Sequence, residues 1–139
     1  SAEDILALAE SGTAAVSLPC TPFGLAEREY SPAKELIVSG ALFALASDLN
    51  PGTAWSGSMQ FVIALACRMM RLTPAQALAA ATINAAAAVG QAQRLGSLTP
   101  GKQADLLILS VDDYRHLAYR FGVNLVDTII KKGRVFSRA

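Results

Sequence analysis

Residues 44–53, Ala44-Leu45-Ala46-Ser47-Asp48-Leu49-Asn50-Pro51-Gly52-Thr53, carry an unbroken apolar run straight into a carboxylate and a tight polar turn. Leu42 to Ala46 shows no alternation of apolar and polar residues, the pattern of a strand covered on both faces. Asp48 then falls just past the C-terminal end of that strand, which in barrels of parallel strands is the catalytic face. Asn50-Pro51-Gly52 forces a turn: Pro fixes φ, Gly permits positive φ, and the Asn amide can bond neighbouring backbone or a ligand. A purely structural Asx-type turn with Asp48 as a cap accounts for the same residues, and this segment taken alone favours it.

Upstream, Glu3 to Ser11 has the apolar spacing of a helix, with Gly12 placed to stop it. Thr13 to Leu18 reads as a short buried strand ended by Pro19, and Cys20 to Tyr30 as a long loop. Ser31-Pro32 reads as an N-cap and first helical residue, opening a helix to Val38 that stops at Gly40. The order helix, strand, helix, strand predicts parallel strands joined by right-handed crossovers. Downstream, Ser58 to Leu72 is helical and apolar almost all round, so it expects protein on most sides. Thr73-Pro74-Ala75-Gln76 is a capping box opening a helix that ends near Thr82, and Asn84 to Val89 is an Ala-rich helix before Gly90.

From residue 91 the period changes from helix to sheet. Gly96 to Leu98 and Ala104 to Leu109 read as strands about a Thr99-Pro100-Gly101-Lys102 turn, and Thr128 to Phe136 as two strand pieces about Lys132-Gly133. The pattern divides the chain into a parallel α/β part, residues 1–95, and an antiparallel part, residues 96–139. His116 lies between the strands in the polar, aromatic-rich stretch Asp112 to Asn124.

The 139 residues are 53% hydrophobic and 17% charged, a composition that buries a real core, and the net charge of +1 comes from scattered residues. No basic face for nucleic acid follows from it. The most apolar run, Phe61 to Cys67, is far below the roughly 20 residues needed to span a bilayer. The acidic opening Ser1-Ala2-Glu3-Asp4 does not resemble a signal peptide, so a cytoplasmic, reducing setting is the expectation, with Cys20 and Cys67 as free structural thiols.

Gly96-Ser97-Leu98-Thr99-Pro100-Gly101-Lys102-Gln103-Ala104-Asp105 resembles the return into the small β-sandwich of the amidohydrolase superfamily, metal-dependent hydrolases built on a (β/α)8 barrel. With Ser47 to Thr53, Ser58-Met59-Gln60 and Tyr119 to Asn124, the blocks are most similar to the imidazolonepropionase family of histidine degradation. The resemblance implies an α/β fold: the C-terminal strands and helices of the barrel in 1–95 and the C-terminal strands of the sandwich in 96–139. It implies ring-amide hydrolysis of 4-imidazolone-5-propanoate to N-formimidoyl-L-glutamate with one Zn or Fe ion. By motif position, Asp48 matches the metal-ligating aspartate, which also takes a proton from the attacking water. Asn50, Gly52 and Thr53 match the turn that holds the substrate. A carboxylate oxygen suits a divalent Lewis acid, and metal-bound water ionises near neutral pH.

The family's histidine ligands have no counterpart in these residues, and the single His116 reads as a surface or interface residue. A catalytic zinc normally needs three protein ligands, so this chain alone is expected to bind no metal and to be inactive, either as a C-terminal portion or as a short relative. A barrel takes about 250 residues. Incomplete closure would leave Thr13 to Leu18, Leu42 to Ala46 and Met59 to Met70 without cover, which predicts self-association or pairing with a missing N-terminal segment. Another cyclic amidohydrolase, a deaminase or a non-catalytic interaction module are the alternatives.

Overall fold

The computed structural model describes residues 1–137. Helix α1 (Ala2–Ser11) starts at a reciprocal capping box between Ser1 and Asp4 and ends at Gly12, whose φ of 69° is the left-handed conformation that glycine adopts most readily. Strands β1 (Ala15–Ser17) and β2 (Phe43–Leu45) pair in parallel with Ala15 opposite Phe43, as the alternating element order predicts. Between them lie α2 (Cys20–Gly24) and α3 (Ala33–Val38).

Two local expectations change here. The segment expected to be loop begins with helix α2, because Pro19 and Pro22 both fall where a first turn has no need of their N–H groups. Ser31 does not cap α3; Pro32 takes the N-cap position, and the Ser31 hydroxyl instead shares a 2.9 Å hydrogen bond with Ser17 on β1.

The core gathers around β2, all three residues of which are buried. Helix α4 (Met59–Met69) is N-capped by the Ser58 hydroxyl and contributes Val62, Ile63, Leu65 and Ala66 to that core. Helix α5 (Pro74–Ala81) opens at the expected Thr73/Gln76 capping box, and α6 (Ile83–Ala88) follows it. Asn84 on α6 donates a 2.9 Å hydrogen bond to the Phe43 carbonyl, tying helix to strand. Leu42 to Ala46 and most of α4 are therefore not short of cover as expected: α5 and α6 supply it. Val16 on β1 does remain 48% exposed.

Strand β3 (Leu106–Leu109), helix α7 (His116–Tyr119) and strands β4 (Val126–Lys131) and β5 (Arg134–Ser137) complete the order, with an antiparallel sheet β3-β4-β5. Lys132 and Gly133, at φ 50° and 76°, form the two-residue hairpin turn whose twist matches its strands. Gly96 to Leu98 is not a strand. Gly96 sits at φ 87° and is pressed onto α6, where an added Cβ would lie 2.8 Å from the Ile83 Cα. Leu117 and Leu125 join the core beside α4, and Gln60 secures the entry to β4 by accepting from the Leu125 N–H at 2.9 Å and donating to Asn124 at 2.8 Å.

The Lys102-Gln103-Ala104-Asp105 block is a clamp. The Lys102 ammonium donates to the Ala92 carbonyl, and Asp105 accepts from the Lys131 ammonium at 2.5 Å, the Lys132 N–H at 2.9 Å and the Gln103 amide at 2.7 Å. The Lys131 hydrogen bond first, then the Lys132 N–H, hold the Asp105 carboxyl down to about 2. A carboxyl with a depressed folded pKa contributes stability above its unfolded value of about 4, and that contribution is lost as pH falls toward the folded value. Protection of the backbone amides in residues 126–137, taken relative to the intrinsic exchange rate at each pH, should therefore fall between about pH 4 and pH 2. In Asp105→Asn that acid step should vanish from the hairpin; an unchanged step would assign it to another group.

Candidate active site

Asp48 stands three residues beyond β2, at the C-terminal end of the parallel pair, with φ at 50°. That is uncommon backbone for a residue with a side chain, and the loop around it is built to hold it. The Asn50 amide donates to the Asp48 carbonyl at 2.7 Å and to the Thr53 hydroxyl at 3.1 Å. Its oxygen accepts the N–H groups of Gly52 and Thr53, each at 2.8 Å. Asn50 and Ala54 close the loop as an antiparallel bridge. The Asn50 side chain thus spends its hydrogen bonds inside the loop, as an Asx turn does.

Helix α2 flanks this loop. The Thr21 hydroxyl donates to Asp48 Oδ2 at 2.8 Å. Gly24 lies so close that a Cβ there would be 1.9 Å from the Thr53 carbonyl oxygen. The Phe23 ring meets Phe61 of α4 edge to face at 5.2 Å between centroids, which fixes α2 against the core. Thr21 also lines a cleft of about 280 Å³ beside the end of β1, with Ser17, Leu18, Glu27, Glu29 and Tyr30 around it.

Strand patterning pointed to Asp48, and the family resemblance added Asn50, Gly52 and Thr53; the structure ties all four together in one hydrogen-bonded loop. The sequence reading left out Thr21 and Gly24. The available signal was Pro19-Cys20-Thr21-Pro22, a proline pair compatible with a short helix at the end of a strand. Cys20 is buried, and burial pushes its thiol up, which disfavours the reactive thiolate. His116 does not join this loop: it lies on α7 beside a separate cleft of about 240 Å³ with Asp113, Arg115 and Tyr119. Among the described residues no three His, Cys, Asp or Glu side chains are grouped so as to hold a metal ion, so Asp48 is a single donor and does not make a metal site by itself.

A profile of the amidohydrolase family matches residues 2–136. The chain belongs to that family. Among amidohydrolases it is similar to the imidazolonepropionases of Herpetosiphon aurantiacus, 54% identical over 98% of this chain and 32% of the relative, and of Parabacteroides distasonis, 50% identical over 93% of this chain and 31% of the relative. The chain therefore spans about a third of the length of the curated relatives it matches. Its fold superposes on a zinc-bound adenosine deaminase from Xanthomonas campestris with a TM-score of 0.88 and 25% identity, covering 97% of this chain and 34% of that one. An amidohydrolase from Thermotoga maritima gives a TM-score of 0.75 at 25% identity, over 99% of this chain and 35% of that one. Among the described residues no helix is long and apolar enough to cross a membrane.

Proposed function

We propose that this chain supplies the aspartate turn of an imidazolonepropionase active site, which hydrolyses the ring amide of 4-imidazolone-5-propanoate to N-formimidoyl-L-glutamate. The observation that carries this reading is the extent of identity to the imidazolonepropionases over nearly the whole chain. In it, β1 and β2 are strands of a (β/α)8 barrel and the β3-β4-β5 sheet is part of a small sandwich, with the division near residue 95. Asp48 is the carboxylate that accepts a proton from the water attacking the ring carbonyl, and it would be one ligand of a Zn or Fe ion, which would supply Lewis-acid activation of that water. Asn50, Gly52 and Thr53 form the turn that faces the substrate, and Asn50 fixes its shape by accepting the Gly52 and Thr53 N–H groups. A general base of this kind contributes about 10²- to 10⁴-fold to a hydrolysis.

A second reading, aminohydrolase action on a purine-like ring, is favoured by the structural likeness to the adenosine deaminase. A chimaera separates the two. Residues 2–137 in place of the matched third of the Herpetosiphon aurantiacus relative should open imidazolone propionate and release no ammonia from adenosine or guanine. Ammonia release with no ring opening would favour the deaminase reading.

A further inference from the structure

We propose that Thr21 is the positioning residue for Asp48, so that α2 aims one carboxylate oxygen out of the loop. The proposal rests on the reading of Asp48 as the reacting carboxylate. Its geometry comes from contacts on both sides of Asp48 and along α2. The Thr21 hydroxyl engages Asp48 Oδ2 at 2.8 Å, while Oδ1 accepts no hydrogen bond from any described residue. The Asp48 backbone is held from the other side by the Asn50 amide on its carbonyl. Helix α2 cannot drift, because its Thr21 N–H bonds the Leu18 carbonyl at 3.1 Å, Phe23 packs on Phe61, and Gly24 abuts the Thr53 carbonyl.

The chemical consequence is denticity. An aspartate free to rotate can offer both oxygens to a cation or exchange them. With one lone pair of Oδ2 taken up by the hydroxyl, Asp48 presents Oδ1 as its unencumbered oxygen, which favours a one-oxygen ligand or a one-site proton acceptor. A threonine at position 21 does this because its hydroxyl is a donor on a stiff branched side chain. Serine keeps the donor, whereas valine keeps the shape and loses it.

Three-bond couplings to the Asp48 carboxyl carbon, measured by NMR on the isotope-labelled 139-residue chain, read the side-chain rotamer directly. The chain as it stands and Thr21→Ser should each show one χ1 well. Thr21→Val should spread Asp48 over at least two of the three staggered wells. Because valine preserves the packing of threonine, a merely structural role would leave that rotamer unchanged. Thr21→Ala, which removes the hydroxyl without putting a methyl in its place, is the second variant and carries the same expectation should Thr21→Val fail to fold. A single fixed Asp48 rotamer in either folded variant, or averaging in Thr21→Ser as wide as in Thr21→Val, overturns the proposal. The measurement needs neither metal nor substrate, so its failure is distinct from a failure of Asp48 to act in hydrolysis.

Discussion

In the chimaera with the Herpetosiphon aurantiacus relative, Asp48→Asn should lower kcat/KM by about 10²- to 10⁴-fold or abolish turnover, and should reduce the bound metal. The amide keeps the size of the carboxylate and can still accept the Thr21 hydroxyl, so the loop and the fold should stay intact. What disappears is the negative charge for a cation and the capacity to take a proton from water. Asn50→Ala is the companion variant. It removes the side chain that holds Gly52, Thr53 and the Asp48 carbonyl together. Loss of such bonds typically costs about 1–3 kcal/mol, or roughly one to two decades in kcat/KM, with metal content unchanged. Equal metal loss in both variants, or full activity in Asp48→Asn, would return this loop to a purely structural turn. Metal analysis after dialysis, alongside the kinetics, distinguishes the cases.

Gly24→Ala should be the most damaging glycine-to-alanine change among the described residues. The added Cβ would sit 1.9 Å from the Thr53 carbonyl oxygen, and that atom is backbone inside a loop closed by its own hydrogen bonds. Neither side can yield by rotating a side chain, so α2 or the 50–54 loop must shift as a body. Overpacking a well-filled site costs about 1–3 kcal/mol and occasionally more, and this contact belongs at the upper end or beyond it. Gly12→Ala is the control: it meets nothing within 4 Å and suffers only the strain of its left-handed backbone, about 1 kcal/mol. Urea midpoints of the two variants should therefore differ clearly, with Gly24→Ala the less stable. In the chimaera Gly24→Ala should also lose activity beyond its loss of stability, since moving α2 withdraws Thr21 from Asp48. Equal destabilisation by the two alanines would mean that α2 and the loop are not in tight contact.

Much of this was legible in the sequence wherever one local rule decides the outcome. The Thr73/Gln76 capping box, the Gly12 stop, the Lys132-Gly133 hairpin and the unalternated β2 run each follow from backbone sterics or periodicity within a few residues. Helix α2 was not legible, because its two prolines punctuate a loop as readily as they start a helix. Ser31 has the right chemistry for a cap, yet its hydroxyl was claimed by Ser17, fourteen residues away in the chain, a competition that no local pattern encodes. Gly96 to Leu98 carries strand-like composition, but Gly96 turns at positive φ with its Cα packed against α6. The same limit applied at the site. Asp48 announced itself as a carboxylate after a buried strand, whereas Thr21 gained its role from a contact across 27 positions of sequence.

The central claim is that these residues carry the aspartate turn of an imidazolonepropionase. It is tested most directly by kcat/KM for 4-imidazolone-5-propanoate in the chimaera, measured against the intact Herpetosiphon aurantiacus enzyme. A turn of the same kind should support a value within about tenfold of the parent, a difference of no more than about 1.4 kcal/mol in transition-state stabilisation. A folded chimaera that retains the parent's metal content and shows no turnover of this substrate would contradict the account.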